Sequence, residues 1–110
     1  VAIEATLATP PSAAIDGQCW IVGSGASGSW AGKDGQIACF SGGNWLFMSP
    51  RDGMRVLNRE ADQDMRYVDG WLKPARPAAP SGGTVIDSEA RATISALISA
   101  LELAGILPPS

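Results

Sequence analysis

The chain has 110 residues, 45% of them hydrophobic, and a net charge of −3 from 8 basic and 11 acidic side chains. That length suits one small domain with an appended element, and the acidic balance withholds the phosphate-neutralising surface that nucleic-acid binding requires. There is no histidine, which removes the commonest general base and the commonest zinc ligand together, and no apolar run is long enough to span a bilayer.

Residues 1–18 read as an extended lead-in containing Pro10-Pro11 and the turn-prone pair Asp16-Gly17. The first six residues lack a basic segment and are interrupted by Glu4, so they make a poor secretory signal. The chain starts at Val1 rather than methionine, which implies a fragment or a processed product.

Residues 19–73 read as an antiparallel β domain. Strands are predicted at Cys19–Val22, Gln36–Phe40, Trp45–Met48, Met54–Asn58, Met65–Val68 and Trp71–Lys73. The connectors carry turn chemistry: Asp34-Gly35, Ser41-Gly42-Gly43-Asn44, Pro50-Arg51-Asp52-Gly53 and Asp69-Gly70, the last predicted as a two-residue I′ loop. Strands joined this way pair as a meander, and a sheet this small curls towards a barrel to cover its own face. Three of the four tryptophans follow a glycine turn, in Gly28-Ser29-Trp30, Gly43-Asn44-Trp45 and Gly70-Trp71.

From residue 74 to 86 the composition shifts to Pro, Ala, Gly and Ser, with prolines at 74, 77 and 80 favouring a semi-rigid extended spacer. Residues 87–105 then read as one helix, with Asp87 as N-cap, Glu89 in the first turn and Gly105 as the stop. Ala90, Ile94, Leu97, Leu101 and Ala104 alternate four and three apart, and Ile98 widens the stripe. An isolated helix of this length is marginal in water, so the stripe needs a cover. The heptad spacing and the stiff spacer favour self-association, as a trimer, through Ile94, Leu97, Ile98 and Leu101.

Several motifs invite a chemical reading. Gly23-Ser24-Gly25-Ala26-Ser27-Gly28 fits the dinucleotide pattern G-x-G-x-x-G, but Ser29–Gly35 cannot open the helix whose N-terminus would hold a pyrophosphate. Glu60, Asp62 and Asp64 lack the glycine and terminal glutamate of a calcium loop and read as a solvated turn; no metal or cofactor is expected. Arg51, Arg55, Arg59 and Arg66, interleaved with acids, read as an ion-paired face. Cys19 and Cys39 are open to two readings, one disulfide or two buried thiols. Most of the seven aromatics must fill the core, with one or two left as exposed platforms on which a sugar stacks. The candidates for that contact are Trp30, Trp45, Tyr67 and Trp71.

The run from Trp20 to Ala38, W-x-V-G-x-G-A-x-G-x-W-A-G-x-D-G-x-I-A, resembles the signature of a family of bacteriophage and prophage structural proteins that also occurs in gene-transfer-agent particles. Gly43-Asn44-Trp45-Leu46-Phe47, Pro50-Arg51-Asp52-Gly53, Ala8-Thr9-Pro10-Pro11 and Tyr67-Val68-Asp69-Gly70-Trp71 extend the likeness over roughly residues 8–73. The segment from Asp87 to Arg91 resembles, less specifically, a C-terminal piece common on phage structural proteins.

The resemblance implies a non-enzymatic tail or fibre module, assembled in the bacterial cytoplasm and carried on the virion. There it attaches the particle to a host surface, with a cell-surface glycan as candidate ligand and other virion proteins as neighbours. The alternatives are a structural adaptor that docks a tail or baseplate protein and, third, an accessory domain of a cell-wall-degrading enzyme. The last is disfavoured by the absence of histidine and of any paired catalytic constellation.

Overall fold

A computed structural model of the chain describes residues 1–78 and 88–109. The fold is mainly β with one C-terminal helix: β1 (Ala2–Ile3), β2 (Thr6–Leu7), β3 (Cys19–Val22), a 3₁₀ turn (Gly28–Trp30), β4 (Ile37–Ser41), β5 (Asn44–Met48), β6 (Arg55–Asn58), β7 (Gln63–Tyr67), β8 (Trp71–Leu72) and α1 (Ser88–Leu103). The strands form two four-stranded sheets, ordered β1-β6-β7-β8 and β2-β3-β4-β5.

The hairpins are antiparallel and local, as the turn chemistry requires. Ser41 pairs with Asn44 across Gly42-Gly43, and both glycines have positive φ, the backbone that a two-residue I′ hairpin demands. The last hairpin differs from the expected two-residue loop. Tyr67 pairs with Trp71, so Val68, Asp69 and Gly70 all lie in the turn, closed by the Val68 N–H on the Gly70 carbonyl at 3.0 Å.

The lead-in is more than an extension. Ala2 and Ile3 pair in parallel with Leu57 and Asn58, and Thr6 and Leu7 pair in parallel with Ile21 and Val22. Within six residues the chain adds an edge to each sheet and crosses between them, placing Ile3 and Ala5 in the two buried clusters. Both sheets are therefore mixed, and residues 1–18 contribute to the same folded unit as residues 19–73.

Both sides of the β3–β4 ladder are covered, which explains the unbroken apolar run Cys-Trp-Ile-Val in β3. Ile21 and Ile37 face the other sheet and pack with Ile3, Val56 and Met65. Trp20, Val22 and Ala38 point the opposite way, under Trp30, Trp45 and Phe47. Trp30 is fully buried at the end of its 3₁₀ turn, with its ring centroid 5.0 Å from that of Trp45 and 6.5 Å from that of Trp20. Its indole Nε1 is buried and finds no acceptor among the described residues, a cost the surrounding aromatic packing must exceed.

The helix is tied down at its C-terminal end. Gly105, with φ of 78°, ends it in a Schellman arrangement: the Ile106 N–H reaches the Leu101 carbonyl at 2.9 Å and the Gly105 N–H the Glu102 carbonyl at 3.0 Å. Buried Gln63 donates from Nε2 to the carbonyls of Pro74 (3.0 Å) and Ile106 (2.9 Å), and the Asp64 N–H donates to the Gly105 carbonyl. Arg76 and Glu102 close the junction with an ion pair at 2.7 Å. The remainder of α1 stands away from the sheets. The molecule measures 58 × 24 × 24 Å with a radius of gyration of 17.8 Å, against about 13 Å for a compact chain of this length.

Two expectations for the helix need correction or restriction. Ile98 is buried at 6% exposure in the single chain, so it does not belong to the open stripe, and Leu101 is half-buried near the junction. Ile94 and Leu97 remain exposed, at 46% and 58%. The proposed N-cap Asp87 and most of the spacer, residues 79–86, lie outside the described residues.

Candidate functional site

The seam between the two sheets opens into a cleft of about 490 Å³. Thr6, Val22, Gly23 and Ser24 line it from the β2–β3 side, and Met65, Tyr67, Trp71 and Lys73 from the β7–β8 side. That volume lies in the range of small-ligand clefts.

The cleft exists because the last hairpin aims two aromatics inward. In β7, alternation puts Gln63, Met65 and Tyr67 on the inner face and Asp64 and Arg66 on the outer one. Trp71, opposite Tyr67, shares that inner face. The two rings meet edge to face, with centroids 5.1 Å apart and planes at 70°. Trp71 packs its inner part on the Ile21–Met65 cluster and donates from Nε1 to the Gly35 carbonyl at 2.9 Å, which fixes the ring and ties the sheets together. Both aromatics are half-buried, so each is held in place while part of it stays open to solvent.

Gly23 forms the opposite wall. A Cβ there would sit in ordinary van der Waals contact with the Leu7 carbonyl, 3.4 Å away, so β2 runs directly against this wall. The exposed side chains of Thr6, Ser24 and Lys73 supply polar groups at the rim. The arrangement, rigid aromatic faces with hydroxyls and one ammonium around them, is suited to holding a polyhydroxylated ring by stacking and peripheral hydrogen bonds. It contains no nucleophile and base in contact.

The four aromatic candidates thus separate into two pairs. Tyr67 and Trp71 come together in the cleft. Trp30 does not: it is fully buried among Trp20, Trp45 and Val22 and cannot touch a ligand. Trp45 is half-buried against Trp20, Trp30 and Phe40 and serves the same cluster. The Gly-then-Trp turn looks alike at all three positions, because it specifies the reversal of the chain but not which side of the sheet is later covered. Gly23 and Ser24 stand out in the sequence as the start of a glycine-rich motif that points to a nucleotide rather than to this cleft, and Lys73 carries no local signal.

The other motifs resolve as structure. In the glycine-rich loop the N–H groups of Gly25 and Ala26 donate to the Asp34 carboxylate at 2.9 and 3.2 Å, so the donors that would cradle a phosphate are already occupied. The acidic segment is a turn in which the Asn58 Oδ1 accepts from the Glu60 and Ala61 N–H groups, and no cluster of metal-ligating side chains occurs among the described residues. Of the four arginines, Arg59 makes an ion pair among the described residues, with Glu4 at 3.0 Å. Arg55 and Arg66 face each other across β6 and β7 beside a smaller cavity of about 240 Å³ that Asp64, Leu72, Pro74 and Ile106 also line. The expectation of an ion-paired face therefore holds at Arg59 alone among these residues.

Cys19 and Cys39 are free thiols, half-buried and directly opposite each other in the β3–β4 ladder. Burial first, and then the adjoining Cys39 thiol and the Glu4 carboxylate, push the Cys19 thiol up to about 12. No helix of the described residues is long and apolar enough to cross a membrane.

No curated protein and no solved structure matches the chain. Residues 1–72 match the family described as "Protein of unknown function (DUF2793)", a span that starts with the lead-in and stops at Leu72, the last residue of β8. With that match running through both sheets and leaving out the helix, the chain belongs to the DUF2793 family.

Proposed function

We propose that this chain is a non-enzymatic, virion-associated module of a phage or prophage particle, in which the β domain binds a saccharide on the host surface and the helix gathers copies of it. The observation that carries the binding half is the Tyr67–Trp71 pair, fixed by the Gly35 carbonyl and open to a cleft with a polar rim. The resemblance of residues 8–73 to phage structural proteins supports the setting, and the exposed Ile94 and Leu97 support assembly. Three copies on one stalk raise a weak single-site affinity through effective concentration.

A glycan array probed with the full chain tests the binding half. Binding is expected to fall at least tenfold in Trp71→Ala, the loss of one buried stacking contact worth about 1.4 kcal/mol or more. It is expected to survive in Arg51→Ala, which changes an exposed residue outside the cleft.

The adaptor reading has one observation of its own. Leu46 and Met48 lie exposed on β5, the edge strand of its sheet, where a neighbouring protein finds both apolar side chains and unpaired backbone groups. A silent array, together with capture of a tail protein that is lost in Leu46→Asp, favours this reading over the saccharide.

A further inference from the structure

We propose that Cys19 and Cys39 form a modification site, a thiol pair positioned to close into one cross-strand disulfide that clamps the cleft-bearing loop between them. The two residues are register partners in the antiparallel β3–β4 pair. Their place in the ladder is decided by the neighbouring hydrogen bonds. The Phe40 N–H donates to the Gln18 carbonyl at 2.9 Å and the Val22 N–H to the Gln36 carbonyl at 2.9 Å. Hydrogen-bonded positions alternate with non-hydrogen-bonded ones, so Cys19 and Cys39 occupy a narrow, non-hydrogen-bonded pair. Such pairs bring their Cα atoms to about 4.5 Å, inside the window of about 4.4–6.8 Å that a disulfide spans.

The surroundings fit a bond that opens and closes. Both side chains lie on the same side of the sheet, half-buried at the margin of the Ile21–Met65 cluster, where a small oxidant reaches them. The Cys19 Sγ makes a weak contact with the Gly17 carbonyl at 3.8 Å and adjoins the Cys39 thiol. Directly opposed Cβ atoms sit about 4.5–5.5 Å apart and closer in non-hydrogen-bonded pairs, near the roughly 3.5–4.5 Å of a disulfide, so closure asks for little movement of the strands.

The segment between the cysteines contains Gly23, Ser24 and Gly35, which form one wall of the cleft, and Trp30, which anchors the second cluster. Cross-linking its ends limits the conformations that wall explores when the domain opens.

In the reaction each thiol loses its hydrogen, one S–S bond forms, and the two electrons and two protons end on a disulfide oxidant of the glutathione class, whose own S–S bond breaks to give two thiols. The proposal is independent of which ligand the cleft takes.

The test incubates the full native chain with oxidised glutathione and follows intact mass, non-reducing peptide maps and thermal unfolding. The expected product is a monomolecular species lacking two hydrogens, with Cys19 linked to Cys39, and with Tm raised by about 5–15 °C over the reduced form. Reduction should reverse both changes. Cys19→Ser and Cys39→Ser should each abolish the intramolecular species and show no rise in Tm under the same oxidant. Persistent glutathione adducts on both native thiols, linkage only after denaturation, or an oxidised form with unchanged or lower Tm each overturn the proposal. The wild-type comparison stands even where a serine variant folds poorly.

Discussion

Trp20, Ile21, Val22 and Ile37 are covered from both sides of the β3–β4 ladder, whereas on α1 Ile94 and Leu97 stand in solvent although they share one stripe. The β domain completes its own core by folding the first seven residues into both sheets and capping the second face with Trp30. The helix has a C-terminal anchor and a buried Ile98, but among the described residues Ile94 and Leu97 stay open. Burying large aliphatic side chains is worth about 1.5–3 kcal/mol each, and it is on this that the proposed association of copies rests. One region covers its own apolar face; the other leaves Ile94 and Leu97 open, and the proposal is that other copies cover them.

The contrast breaks most severely at Trp30. Trp30→Ala removes the largest fully buried side chain and should cost about 3–5 kcal/mol, a large part of the stability of a domain this small. Denaturant unfolding followed by tryptophan fluorescence measures it. A loss below 1 kcal/mol, in the range of a surface substitution, would show that the second cluster does not hold the domain together.

Gln63 is the joint between the regions. Gln63→Leu keeps the bulk but leaves the Pro74 and Ile106 carbonyls without their shared donor, at a cost of about 1–3 kcal/mol. Amide exchange should then accelerate at residues 104–107, while β3 and β4 stay protected. Equal acceleration throughout would mean that helix and sheets open as one unit.

The smallest effect concerns pH. Cys19 holds its proton up to about 12 in the folded chain, against an ordinary value of 9.0. Burial is the main cause; Cys39 on β4 and Glu4 on the crossing segment add to it, and the N-terminal ammonium opposes it. Above pH 9 the unfolded chain releases this proton and the folded one keeps it, so the unfolded state gains and stability falls as pH rises from 9 towards 12. The reduced wild type should lose Tm over that window, and Cys19→Ser should lose less. Equal alkaline slopes in the two proteins would contradict the assignment.

What was legible in the residues follows the same division between local and distant. The hairpin announced by Gly42-Gly43 was legible because the pairing partner lies a few residues away and the turn encodes the reversal, whereas the Pro50–Gly53 turn, expected to continue the meander, instead carries the chain from one sheet to the other and leaves β5 and β6 unpaired with each other. The parallel pairs were not: Ala2 meets Leu57 and Thr6 meets Ile21, and no turn residue marks contacts made across such separations. The same limit applies to the site. Tyr67 and Trp71 share a hairpin and were found as aromatics, while Gly23, Ser24 and Lys73 reach them only through the stacking of two sheets. Helical spacing identified the stripe, yet the burial of Ile98 depends on tertiary placement that periodicity does not contain.

Whether the β domain stands alone while the helix needs other copies is tested most directly by light scattering on the full chain and on Leu97→Asp at tens of micromolar. The wild type is predicted to give three times the 11.3 kDa chain mass, and Leu97→Asp a monomer whose tryptophan fluorescence still reports a folded β domain. A monomeric wild type at that concentration would contradict the proposed association.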